Sequence, residues 1–169
     1  MQIAYKGCVL VRFFKKIIPL ILCLCLFVGC SGREKLSAND IADEIKSLSS
    51  DLITWISLDK SQMSTYFSIQ DDTVIHFAGY INDSENKFDI IAVFKFENQD
   101  ARTQIISEIN KTATQMSDNY KLANENEAQK ISNHIIAQTN DTIIFCVLDN
   151  QKPITEYLTS EVKAEILNH

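Results

Sequence analysis

The sequence predicts an α+β domain with an antiparallel four-stranded sheet, formed by two hairpins in the order α-ββ-α-ββ-α, and with helices packed mainly on one face. Strand-like segments occur in two neighbouring pairs, at 74–81 with 88–96 and at 132–139 with 142–148. A helix of about 18 residues, beginning near Asp100, separates the two pairs. Glycine and proline number only four and two, so long flexible linkers are not expected.

Helical spacing of apolar residues predicts the other helices. Ser37 is a typical N-cap, and Asp40 in the first turn favours the positive end of a helix. The apolar stripe of this helix is Ile41, Ile45, Leu48 and Leu52. Short helices are predicted at 60–67 and 124–130. Pro153 suits the first turn of a last helix, with the stripe Ile154, Leu158, Val162 and Ile166.

Alternation of side chains predicts which faces of the first hairpin are buried. In its second strand one face carries Phe88, Ile90, Ala92, Phe94 and Phe96. In its first strand Ile75, Phe77 and Ile81 share a face, and His76 and Tyr80 lie on the other. The polar segment 82–87 is predicted to be the hairpin loop, and 140–141 a two-residue turn in the second hairpin. Gly79 indicates a bulge or a close approach of another group to the backbone.

The first 29 residues have the pattern of an export signal. They carry no acidic residue, and an apolar run of 12 residues at 17–28 follows four basic ones: Lys6, Arg12, Lys15 and Lys16. A membrane-spanning helix needs roughly 18 to 20 apolar residues, so the run is short for a stable span. The stretch 26–30 resembles the lipobox of bacterial lipoproteins, in which cleavage between Gly29 and Cys30 exposes the cysteine for lipidation.

This pattern divides the chain into three parts. Residues 1–29 are predicted to be a lipoprotein signal peptide, 30–36 a lipidated tether and 37–169 a single domain. The mature protein would then be held by its lipid at the outer face of the cytoplasmic membrane. An uncleaved anchor and a simple secreted protein are the alternatives.

Charge and cysteine content narrow the classes of partner. Cleavage before Cys30 would leave 12 basic and 22 acidic residues, a net charge of −10. Such a surface disfavours nucleic acid and anionic lipid headgroups as partners. Only Cys30 and Cys146 would remain, and with Cys30 acylated no intramolecular disulfide is expected. Cys146 lies in an apolar strand, so we expect a buried and unreactive thiol.

No motif in the chain indicates catalysis or metal binding. The spacing of His76, His134 and His169 does not fit a zinc site, and the acidic loops lack the spacing of an EF-hand. There is no Gly-x-Ser-x-Gly elbow and no glycine-rich phosphate loop. Glu125 and Glu127 lie at a helix start, where capping explains them. We therefore expect no cofactor, no metal and no enzymatic activity.

The middle of the chain resembles a known family. The stretch Phe-Asp-Ile-Ile-Ala-Val-Phe-Lys-Phe at 88–96, the long helix after it, Tyr120, a short helix and the hairpin at 135–148 are similar to bacterial lipoproteins of the domain-of-unknown-function 4358 type, found in clostridia and their relatives. The similarity covers roughly residues 40 to 160. Leu122 stands where the family often has proline, and 140–141 replace its glycine-containing turn. The resemblance implies an extracytoplasmic lipoprotein of unassigned activity and identifies no functional residue.

The leading functional hypothesis is a non-catalytic module that binds an envelope or membrane protein or another envelope component. One possible binding surface is the sheet face with His76, Tyr80, Asp89 and Lys95, on the condition that helices cover only the opposite face. A plain solvated face is the alternative reading of these residues. The other hypotheses are a small-ligand-binding lipoprotein associated with a transporter, and an enzyme without a recognisable motif.

Overall fold

The computed structural model describes residues 35–49, 54–84 and 87–167, and within them the chain forms a six-stranded antiparallel sheet. The predictions for residues 1–34, including Gly29 and Cys30, lie outside the described residues, as does Leu52. The overall α+β class is the predicted one, whereas the number of strands and the placement of the helices differ from the prediction.

Within the described ranges, five helices and six strands follow one another. The helices are α1 (Ala38–Leu48), α2 (Lys60–Phe67), α3 (Gln99–Lys121), α4 (Glu125–Ser132) and α5 (Gln151–Tyr157). The strands are β1 (Ile56–Leu58), β2 (His76–Ser84), β3 (Lys87–Lys95), β4 (Ile135–Gln138), β5 (Thr142–Val147) and β6 (Glu165–Leu167). A 3₁₀ turn covers Asp71–Thr73 and a π-helical turn covers Leu158–Val162. The strands lie side by side in the order β1-β2-β3-β5-β4-β6.

The predicted start of α1 is confirmed at the level of its hydrogen bonds. Ser37 and Asp40 form a capping box, in which the Asp40 N–H donates to Ser37 Oγ at 3.1 Å and the Ser37 N–H donates to Asp40 Oδ2 at 2.9 Å. Both bonds satisfy backbone donors that the first turn of a helix cannot pair internally. The buried side of α1 consists of Ala38, Ile41, Ala42 and Ile45.

The central strands β3 and β5 are buried on both faces. On one face, Phe88, Ile90, Ala92 and Phe94 of β3 pack with Phe145 and Val147 of β5 beneath α2, α3 and α4. On the other face, Ile91 and Val93 of β3 pack with Ile144 and Cys146 of β5 beneath α1 and α5. The prediction of helices mainly on one face is therefore wrong. The prediction relied on one set of alternating positions in β3. The other set includes Ile91 and Val93, which are also apolar and must be shielded from water.

Two short edge strands account for the difference between four strands and six. β1 pairs with β2 through Ile56 opposite Ile81, and β6 pairs with β4 through Ile166 opposite Ala137. Each has three residues, too few for alternation to be detected in the sequence. The helical stripe predicted through Ile166 is interrupted by Lys163, whose left-handed backbone (φ 61°) ends the last helix and redirects the chain into β6.

The two predicted hairpins are confirmed, with one loop shorter than expected. In the first, Ser84 pairs with Lys87, so only 85–86 separate the strands. In the second, the Thr139 N–H donates to the Thr142 carbonyl at 2.8 Å, which closes the two-residue turn at 140–141. Ile75, predicted on the buried face of β2, precedes the strand and is 55% exposed.

Gly79 allows close packing inside the sheet, as the sequence predicted. A Cβ atom at this position would lie 2.7 Å from Cζ of Phe77 and 3.1 Å from the carbonyl oxygen of Ile91. The ring of Phe77 therefore lies over the glycine, where a larger residue would displace it. Cys146 is fully buried, and this burial raises the pKa of its thiol.

Burial of both sheet faces predicts the cost of two isoleucine substitutions. Ile91 is fully buried on the face beneath α1, whereas Ile56 on β1 is 57% exposed. We expect Ile91→Ala to lower the free energy of unfolding by about 2 to 5 kcal/mol. Ile56→Ala, the matched control, should change it by less than about 0.5 kcal/mol. Urea unfolding measures both values, and a near-neutral Ile91→Ala would mean that this face is not packed.

Candidate functional site

The structure separates the four residues of the predicted binding surface. His76 is exposed, Tyr80 and Lys95 are half-buried, and Asp89 is buried with 1% of its surface exposed. The condition attached to that prediction, a sheet face free of helices, is not met because α1 packs on the face that these residues share. They therefore do not form one exposed surface. Their contacts divide them among three separate groups of residues: Asp89 in one, Tyr80 in a second, and Lys95 with His76 in a third.

Asp89 belongs to a buried polar group at one end of the sheet. We call Asn82, Asp89, Glu127 and Lys130 the Lys130 cluster. Lys130 Nζ donates to Asp89 Oδ1 at 2.9 Å and also forms a short ion pair with Glu127. The other oxygen of Asp89 accepts from Asn82 Nδ2 at 2.9 Å. The side chains of Lys130, Asp89 and Glu127 are 8%, 2% and 9% exposed, so the cluster lies almost entirely out of water.

Helix α4 positions the cluster at the place where β5 has ended. The β3–β5 pairing stops at Ile90 opposite Val147, and two residues earlier the Phe88 N–H donates to Glu127 Oε1 at 2.8 Å. Asn124 caps α4 by accepting from the Glu127 N–H, so the Glu127 side chain is free to reach β3. The carboxylate of Glu127 thus takes the place of a strand partner at the edge of β3.

A buried serine fixes α4 to α3. Ser117 Oγ donates to the carbonyl of Ala128 at 3.0 Å and lies 2.8 Å from Ser132 Oγ. These bonds hold two successive turns of α4 against the long helix. The position of Lys130 is therefore determined from both sides, by α3 behind the helix and by the carboxylate of Asp89 in front of it.

The charges in the Lys130 cluster favour a protonated lysine. Burial alone would lower the pKa of Lys130, but hydrogen bonds and charge interactions with Asp89 and Glu127 outweigh burial and raise that pKa. A further carboxylate, Asp149, lies 3.8 Å from Nζ and is 70% exposed at the rim. An amine that its neighbours keep protonated is a poor nucleophile or base. The cluster is thus built to tie α4 to β2 and β3.

Tyr80 forms the second group, together with α1. Its hydroxyl donates to a carboxylate oxygen of Asp43, Lys46 Nζ lies 4.2 Å from the centroid of its ring, and Trp55 meets the ring edge-on with centroids 6.4 Å apart. The hydrogen bond from Tyr80 to Asp43, with some desolvation and the negative charge of Asp43, raises the pKa of Tyr80 to about 12. These contacts attach α1 to β2.

Lys95 belongs to a third group, at the opposite end of the sheet from the Lys130 cluster. Lys95 Nζ donates to the Leu36 carbonyl at 2.8 Å, and the Ile75 N–H donates to the Lys95 carbonyl at 2.8 Å. Lys95 also pairs in register with His76. We call Leu36, Ile75, His76 and Lys95 the tether patch, because Leu36 is the last residue of the segment 30–36 that the sequence predicts to be a tether. Leu36 and Ile75 are 38% and 55% exposed.

A cleft of about 510 Å³ lies beside Ile75, between the 3₁₀ turn and the start of α3. Its walls are mostly polar, and their charged residues are Lys60, Asp71, Asp72, Glu97 and Asp100. Small-molecule sites are usually lined mainly by apolar and aromatic side chains with a few placed polar groups. This lining is the reverse of that composition, which favours a hydrated surface depression.

Sequence reasoning missed Lys130, Glu127 and Asn82, although one signal was present. Asp89 is the only charged residue between Phe88 and Phe94, and a carboxylate in a strand buried on both faces needs a charged or hydrogen-bonding partner. The sequence pattern assigns Glu127 to capping, but in the structure Asn124 caps the helix. The sequence could indicate that Asp89 has a partner, but the choice of Lys130, 41 residues away, depends on how α4 packs.

Comparison with known proteins gives one match. A family model described as Domain of unknown function (DUF4358) matches residues 49–148. No curated protein and no solved structure matches the chain significantly. The matched span runs from the end of α1 to the end of β5 and contains all four residues of the Lys130 cluster. The described ranges hold no group of three or more His, Cys, Asp or Glu arranged for a metal ion, and no described helix is long and apolar enough to cross a membrane.

The Lys130 cluster predicts a large loss of stability when its cation is removed. Lys130→Ala should lower the free energy of unfolding by about 3 to 5 kcal/mol, because Asp89 and Glu127 would remain buried without a counter-charge. Lys121→Ala removes an exposed i,i+3 pair with Asp118 and should cost at most about 1 kcal/mol. Lys130→Met keeps the aliphatic stem, so a wild-type-like Met variant in urea unfolding would contradict the role of the charge.

The contact between Tyr80 and Asp43 predicts a specific alkaline transition. The pKa of Tyr80 is raised from 10 to about 12, so its contribution to stability is complete below pH 10 and is lost as the pH rises through about 12. The tyrosinate absorbance difference between wild type and Tyr80→Phe measures this ionisation. Asp43→Ala should move it back towards pH 10. Tyr157, raised to about 12 chiefly by burial, should be unaffected and serves as the control.

Proposed function

From the premise that this chain belongs to the DUF4358 family, we propose that it is a lipid-anchored, non-catalytic binding module at the outer face of the cytoplasmic membrane. The anchor is attached to Cys30 after cleavage behind Gly29. The partner is a membrane or envelope protein, and the anchor keeps the module at the surface where that partner is found.

One observation carries this proposal, the order of features before the domain. Basic residues precede a 12-residue apolar run, a lipobox-like stretch ends at Cys30, and the capped helix α1 begins at Ala38. Two acyl chains hold a protein on a bilayer far longer than one chain does. A tether of a few residues between the acylated cysteine and the first helix is what an anchored, closely held domain requires.

The chemistry of the described residues supports binding over catalysis. The buried charged residues of the Lys130 cluster join secondary-structure elements through bonds that occupy its own lysine and carboxylates. The cleft beside Ile75 offers the ligand-binding alternative a location. Four carboxylates and one lysine in its walls would repel an anionic metabolite and give an apolar one little surface to bury.

The anchor is tested by metabolic labelling with an alkyne fatty acid in a bacterium that processes lipoproteins. The wild-type chain should be labelled and should sediment with membranes, and Cys30→Ala should lose the label. Cys25→Ala changes a cysteine within the apolar run and is the matched control, so its label should be retained. A label that persists in Cys30→Ala would overturn the proposed anchor.

The same cells test the binding role. Crosslinking in the cell should capture one dominant envelope or membrane partner with wild type, and that product should disappear with Cys30→Ala because the variant is no longer held at the membrane. Identical products from the two proteins would count against a module that works by being anchored.

A further inference from the structure

The tether patch marks the point at which an anchor would pull on the domain. Leu36 is bonded through its carbonyl to Lys95 at the end of β3, and α1 begins two residues later. The chain from Cys30 to Leu36 spans at most roughly 20 Å even when fully extended. A lipid on Cys30 therefore keeps the tether patch within that distance of the bilayer surface.

The length of α3 limits which end of the sheet can face the bilayer. Helix α3 begins beside the end of β3 and runs back until Tyr120 meets Phe88, at the start of that strand. Its 23 residues cover about 34 Å. If α3 stood upright with the loop after it on the bilayer, Leu36 would stand farther from the surface than the tether can span. This excludes an orientation with that loop pointing down.

The side chains of the tether patch have the composition of a membrane-contacting surface. Four large apolar side chains are exposed in the described ranges, and two of them, Leu36 and Ile75, flank Lys95. Aliphatic groups beside a lysine can enter the headgroup region while the ammonium stays at the polar surface. The other two, Ile56 and Leu122, lie away from this end of the sheet.

The charges around the tether patch are mixed. The mature chain has a net charge of −10, which opposes close contact with an anionic bilayer. In the tether patch Lys95 faces Asp40 of α1 and offsets its charge, with exposed His76 alongside, although carboxylates of the cleft lie beside Ile75. Lys95 therefore offsets an acidic charge beside Leu36, whereas the cleft carboxylates act against contact with an anionic bilayer at Ile75. The contact we infer rests on the length of the tether and on the two exposed aliphatic side chains.

We propose that the domain rests on the bilayer through the tether patch, with Leu36 and Ile75 in the headgroup region and the loop after α3 pointing away. This inference rests on the lipidation of Cys30 in the proposed function. It orients the molecule so that Leu122, which is 99% exposed, lies at the end farthest from the membrane. A partner held in the same membrane or in the cell wall would contact either the Leu122 end or the sides of the domain.

The test uses the full chain, exported and lipidated in cells, and then placed in vesicles of phosphatidylcholine with a minor fraction of phosphatidylglycerol. An environment-sensitive fluorophore is attached to Ile75→Cys, Ile56→Cys or Leu122→Cys in separate proteins. Ile75 and Ile56 are matched in type and exposure, at 55% and 57%. Cys146 is fully buried and Cys30 is blocked by its lipid, so the label reaches only the introduced thiol.

Quenching by lipids that carry a nitroxide in the headgroup reports proximity to the bilayer. We expect quenching at position 75 to be several-fold stronger than at position 56. The fluorescence at position 122 should be close to that measured with vesicles that lack the nitroxide lipid. Equal quenching at 75 and 56, or stronger quenching at 122, overturns the orientation while the mass of the acylated peptide still supports the anchor. Absence of the acyl group on Cys30 overturns both proposals, so the two failures can be told apart.

Discussion

The structure depends on the double-sided burial of β3 and β5. Both strands are apolar at successive positions, so each face of the central sheet must be shielded from water. Three helices, α2, α3 and α4, shield one face, and α1 with α5 shields the other. This requirement explains why the domain includes α1 and α5, although the span matched by the family model stops short of both. It also explains why the short strands β1 and β6 suffice as edges, since the buried area lies at the centre.

Burial of both faces creates a second constraint at the end of the sheet near Phe88. There β3 extends beyond its last pair with β5, which is Ile90 opposite Val147. The unpaired edge there needs partners for its backbone, and Glu127 supplies one for the Phe88 N–H. Two buried carboxylates and one lysine then neutralise most of one another's charge. Such a group contributes less to net stability than to the choice of one arrangement, because a displaced α4 would leave buried charges without partners. The role we assign to Lys130 is thus the positioning of α4 on β2 and β3.

The residues that look most like a recognition surface in the sequence serve the attachment of α1 instead. Tyr80 and Lys95 point to the face on which α1 lies, where they bond to Asp43 and to the Leu36 carbonyl. Whether His76, Tyr80, Asp89 or Lys95 contacts a partner stays a prediction, but they cannot do so as one exposed plane. The proposed role at the membrane rests on the anchor and on the end of the domain at which the chain enters. Binding specificity would then depend on surfaces that the anchor leaves accessible.

The sequence by itself determined the α+β class, the two hairpins, the cap of α1 and the family, because each depends on local spacing or on a contiguous pattern. It also determined the lipobox-like stretch that predicts the anchor at Cys30. Only the tertiary structure decided that helices cover both faces, that Lys163 ends the last helix before β6, and that Asp89 pairs with Lys130. These features depend on how the elements pack against one another in three dimensions. Packing of this kind leaves no periodic signal along the chain, so the sequence pattern does not reveal it.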